Sequence, residues 1–162
     1  VQNLKSIHQV TWFVVASRTD AVFYFDGDDH KFHFIHRLSN PLGNEQEREL
    51  DSDRPGSGVS SAAGGTIRHA LDRRSFRHER VAETFAQKIA ESLESSLNEK
   101  RFSSLVLVAE PHFLGLMRSA LPLAVSRTIQ SEVGKEYSDS SDVEIRERIY
   151  KVLEPTRGSG QA

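Results

Sequence analysis

Cysteine is absent from the 162 residues. That excludes a disulfide scaffold, a thiolate zinc site, an iron–sulfur cluster and a cysteine nucleophile. Long apolar runs are missing too. An uncharged run such as 102–109 falls far short of the ~20 residues that span a bilayer, so no membrane insertion is expected. No charged, then apolar, then small-residue pattern opens the chain. The first residue is Val1 rather than methionine, which leaves open a leader removed before it. A large charge of one sign is also lacking: the net charge is −2, so any nucleic-acid binding would need a local basic patch.

Several catalytic signatures are missing. No Gly-x-Ser-x-Gly elbow occurs. Arg54-Pro-Gly-Ser-Gly58 is glycine-rich but lacks the Lys-Ser/Thr ending of a phosphate loop. Residues 11–18 hold no acid, although two-metal nuclease chemistry on the fold argued below needs a carboxylate there; Glu110 stands alone at the end of a later strand. His30, His33 and His36 recur every three residues. On a strand His33 faces away from the other two, which excludes a metal triad. No metal or other cofactor is implied.

What remains is a globular composition, 37% hydrophobic and 27% charged. Residues 11–17 form a nearly continuous apolar run, which predicts a strand buried on both faces. Residues 21–25 and 32–38 are two more strands around Asp26-Gly27-Asp28-Asp29, where Asp-Gly signals a hairpin. On the third strand Phe32, Phe34, His36 and Leu38 should share one face, and Lys31, His33, Ile35 and Arg37 the other. Residues 39–75 show no apolar period and read as a long flexible loop. A helix is predicted over 76–98, since Val81, Phe85, Ile89, Leu93 and Leu97 recur every fourth residue. Leu105-Val-Leu-Val108 predicts a buried parallel strand, and Pro111 opens a helix over 112–121. Residues 128–133 suit an edge strand or a helical extension. Ser141-Asp-Val-Glu144 is a capping box for a last helix ending at Pro155.

This order predicts an α/β fold of the ribonuclease-H-like class: a mixed five-stranded sheet of three meandering strands, then alternating helix and strand, with three main helices. Residues 1–155 are expected to form one domain, and 156–162 a disordered tail.

Charge is segregated along the long loop. Glu45, Glu47, Glu49, Asp51 and Asp53 precede Arg54, Arg68, Arg73, Arg74, Arg77 and Arg80. Arginine without lysine suits bidentate phosphate contact, and the acidic half should mask the basic half.

Two segments resemble a known family. One is Leu50-Asp-Ser-Asp-Arg-Pro-Gly56, with Ala82-Glu-Thr-Phe-Ala86 after it; the other is Leu105-Val-Leu-Val-Ala-Glu-Pro-His-Phe-Leu-Gly-Leu-Met-Arg118. Together they are similar to the bacterial proteins required for attachment to host cells, over about residues 11–153. The resemblance singles out the motif turn of Glu110, Pro111, His112, Phe113, Leu114, Gly115 and Arg118. That family is in turn distantly similar to the middle domain of the archaeal and eukaryotic class I peptide-release factor. There a Gly-Gly-Gln loop precedes the long helix. Here Gly64-Gly65 is followed by Thr66, so the catalytic glutamine is absent.

Three functions follow in order. The first is a non-catalytic, cytoplasmic module binding ribosome or structured RNA through Arg54, Gly64, Gly65, Thr66, Arg68, Arg73, Arg74 and Arg77. The second is a protein-interaction factor in attachment. The third is a hydrolase around Glu110 and His112. No oligomeric state is implied.

Overall fold

The computed structural model describes residues 9–52, 64–137 and 140–157. Three strands meander first: β1 (Thr11–Ala16), β2 (Asp20–Asp26) and β3 (Phe32–Ser39). Helices α1 (Pro41–Ser52) and α2 (Gly64–Asn98) lead to β4 (Ser104–Ala109) and α3 (Pro111–Ala120). A single turn, α4 (Leu123–Ser126), precedes β5 (Ile129–Gly134) and α5 (Asp142–Arg157). The sheet order is β3-β2-β1-β4-β5, antiparallel from β3 to β1 and parallel from β1 to β5. This is the mixed five-stranded α/β sheet that the element order predicted, and residues 129–134 form one of its two edge strands.

Strands β1 and β4 are covered on both sides, which explains their unbroken apolar runs. On one face Trp12, Val14, Leu105 and Leu107 pack with Phe85, Ile89 and Leu93 of α2 and Phe113 and Met117 of α3. On the other, Phe13, Val106 and Val108 pack with Ile145 and Ile149 of α5. Tyr24 belongs to this second face and donates its hydroxyl to Asp142 Oδ1 at 2.6 Å, tying β2 to the start of α5. Burial, then the Asp142 carboxylate, push the Tyr24 phenol above its ordinary value, so it stays a donor. The capping box forms as expected: Ser141 N–H donates to Glu144 Oε2 at 2.9 Å and Glu144 N–H donates to Ser141 Oγ at 3.4 Å.

The structure corrects six expectations. Residues 39–75 are not without regular structure, since α1 and the first turns of α2 lie there. Asn40-Pro41 is a helix start rather than a loop marker: Pro41 fills the first helical position and Asn40 O accepts from Asn44 N–H at 3.2 Å. Helix α2 begins twelve residues before Phe76, and residues 68–77 are exposed at every position, so there was no buried face to print a period. The hairpin turns through His30, whose φ is 56°, while Gly27 needs no positive φ. In β3, Phe23 faces His36 and Tyr24 faces Phe34, leaving Ile35 as a bulge. The alternation therefore flips, and His33 and His36 share a face, stacked on Phe25 and Phe23. Finally, α5 continues past Pro155 to Arg157, because a proline in a last turn removes only one terminal bond.

Gly43 lets α1 sit against the β1–β2 turn. A Cβ there would lie 2.3 Å from the Arg18 carbonyl oxygen, the same oxygen that accepts from Asn40 Nδ2 at 2.8 Å. Gly43→Ala is expected to push α1 off this turn and cost about 1–3 kcal/mol, measurable by thermal unfolding.

Candidate functional site

The motif turn leaves the sheet where β4 ends. Glu110 is extended and caps α3, its carboxylate accepting from His112 N–H at 3.0 Å and Phe113 N–H at 2.9 Å. Those amides are the unpaired donors of a helix start. Arg18 Nε lies 3.8 Å from the same carboxylate. Pro111 takes the first helical position, where its missing N–H removes no bond. His112 Nε2 sits 2.8 Å from Glu79 Oε1 and latches α3 to α2. Phe113 and Leu114 are buried, Gly115 faces open space, and Arg118 holds β5 through a two-pronged pair with Glu132 at 2.7 and 3.1 Å. Six of the seven motif residues, all but Gly115, therefore serve the joint between β4, α2, α3 and β5.

This arrangement bears on the hydrolase reading. Both Glu110 oxygens cap amides, and His112 is engaged by Glu79, so the two do not form an acid–base pair with each other. Among the described residues no three or more histidines and acids are placed to hold a metal. Glu110→Ala should cost about 1 kcal/mol through the lost cap, and Pro111→Ala at most about 1 kcal/mol through unfolded-chain entropy. Urea unfolding of both variants checks this.

The second feature is a groove of about 480 Å³ between the start of α1 and the outer side of α2. Arg73, Arg77, Arg80 and Lys88 line it. Their spacing, with Thr84 between the last two, follows one helix face. At 1.5 Å per residue the stripe is about 22 Å long. Two large apolar side chains stand in the same groove: Phe76, 65% exposed, and Leu42, 57% exposed. The Arg80 guanidinium lies 5.8 Å from the Phe76 ring centroid.

Of the proposed basic set, the fold brings together Arg73 and Arg77. Arg74 follows Arg73 by about 100° around the helix, and Arg68 lies about 140° away, so neither joins the stripe. Gly64, Gly65 and Thr66 open α2 and are helical, which corrects the expected Gly-Gly loop. Arg54 and Asp53 lie outside the described residues, as do the side chains of Glu47, Glu49 and Asp51. The masking role of the acidic run thus falls largely outside them; Glu45 is exposed on α1. Arg80 was counted as charge but not placed in the site, and Lys88, Leu42 and Phe76 were missed. Testing the i, i+4, i+7, i+15 spacing would have found both cations.

The family model described as "Protein required for attachment to host cells" matches residues 12–149. No curated protein matches. A solved structure described as "Archaeal protein" aligns at 8% identity with a TM-score of 0.40, covering 93% of this chain and 41% of that one. The chain thus spans less than half the length of that structure. No helix among the described residues is long and apolar enough to cross a membrane.

Proposed function

We propose that this chain, which belongs to the family of proteins required for attachment to host cells, is a non-catalytic binding module that takes the phosphates of structured RNA, ribosomal RNA among them, in the cytoplasm. The observation that carries this reading is the stripe of Arg73, Arg77, Arg80 and Lys88 on one face of α2. A formal charge of −2 spread over the chain would not favour a polyanion, but four aligned cations do so locally. Three of the four are arginines, whose planar fork suits phosphate. In this reading the attachment phenotype is an indirect effect of an intracellular regulator.

The test is a titration of structured RNA against the intact chain over a range of salt. Each neutralised phosphate releases counterions, so four contacts predict a log–log slope of about −3. No binding at low salt, or a slope near zero, would end the RNA reading. A second reading, a protein-interaction factor acting directly in attachment, is favoured by Leu42 and Phe76, whose exposure suits an apolar partner. A pull-down from cells separates the two: ribosomal subunits support the first, surface proteins the second.

A further inference from the structure

We infer that the groove between α1 and α2 holds an unpaired nucleobase against the Phe76 ring, so that the RNA is single-stranded where it crosses α2. This inference rests on the RNA reading above and adds the substrate class to it. Phosphate contact alone needs only the cations. It needs neither a concave space of about 480 Å³ nor an exposed aromatic ring inside it. A space of that size falls within the range of pockets that hold a small planar group.

Phe76 does not serve the core. It is 65% exposed and lies between Arg73, three residues before it, and Arg77 and Arg80, one and four residues after it. The ring and three guanidinium-bearing side chains thus line one groove from α2, and Leu42 lines it from α1. Unpaired bases stack on aromatic rings and on arginine planes while neighbouring cations hold the backbone. A duplex keeps its bases stacked inside and offers such a groove only phosphates. An acidic amphipathic peptide would also present negative charge beside apolar groups. Arginine predominance and a guanidinium already beside the ring favour the planar, phosphate-linked ligand.

The experiment measures fluorescence anisotropy with a short single-stranded RNA, an abasic sugar–phosphate strand of equal length, and a duplex. The intact chain is compared with Phe76→Ala and Phe76→Trp, whose site is exposed enough to leave the fold unchanged. The single strand is expected to bind roughly tenfold tighter than the abasic strand, the scale of one stacked base. Phe76→Ala should remove that ratio yet keep the abasic affinity and its salt slope, and Phe76→Trp should retain the ratio. If the intact chain binds all three probes equally, or Phe76→Ala weakens them equally, the stacking inference is overturned while the RNA reading stands. If no strand binds at low salt, both fall.

Discussion

Phe113→Ala is expected to destabilise the protein by about 3–5 kcal/mol, and Phe85→Ala by a similar amount. Phe113 is fully buried and Phe85 is 2% exposed. Their rings stack across the α2–α3 contact with centroids 6.1 Å apart and planes 25° apart. Removing either ring deletes apolar area from a packed interior and leaves a cavity that two helices on a rigid sheet cannot close. The two losses should not add. Once one ring is gone its partner has already lost the stack, so a double-mutant cycle should return a coupling of about 0.5–1.5 kcal/mol. Each single change should far exceed Pro111→Ala, because the proline sets only the entry angle of α3 while Phe113 holds that helix down. Folds of this kind are stable by about 5–15 kcal/mol in total. Urea unfolding of the four proteins measures all the terms. Effects below about 1 kcal/mol for both single variants would mean that α2 and α3 are not joined through these rings.

The parts of the fold that burial shapes were legible in the sequence. Residues 11–17 and 105–108 were readable as strands because both faces are covered, and Phe85, Ile89 and Leu93 printed their period because α2 lies on the sheet there. Where a helix touches little, the same chain was silent. Residues 64–75 of α2 have no apolar period, since every described side chain from 68 to 77 faces solvent. Helix formation there draws on local propensity, which is weaker evidence than burial. The Ile35 bulge was unreadable for another reason: it inserts one residue into an otherwise regular alternation and turns Phe34 to the opposite face from His36. Pairings such as His112–Glu79 join residues 33 positions apart, which no local pattern announces. The basic site was half visible. Counting arginines by window found Arg73 and Arg77 but also gathered Arg68 and Arg74, because a count along the chain ignores which side of the helix each residue takes.

Reversing the charge of Arg73 and Arg77 together to glutamate is expected to lower RNA affinity on the order of a hundredfold. The two residues stand one turn apart on the same face, both are exposed, and both line the groove. The double change removes half of the four-cation stripe and sets two like charges against the phosphates. Stability should hardly move, since surface substitutions away from buried networks stay within about 0.5 kcal/mol. The salt dependence identifies the cause. With two contacts left, the log–log slope should fall from about −3 to about −1.5, because fewer counterions are released. Arg68→Glu provides the control: it changes the same helix and the same charge type off the stripe, so it should cost only a few-fold. Lys88→Glu, eleven residues beyond Arg77 on the same face, should behave like a stripe residue although it lies far from the arginine cluster in sequence. Equal losses from Arg68→Glu and Lys88→Glu would show that net charge, not the face of α2, governs binding. An unchanged affinity after the double reversal would remove the RNA reading and give first place to a protein partner.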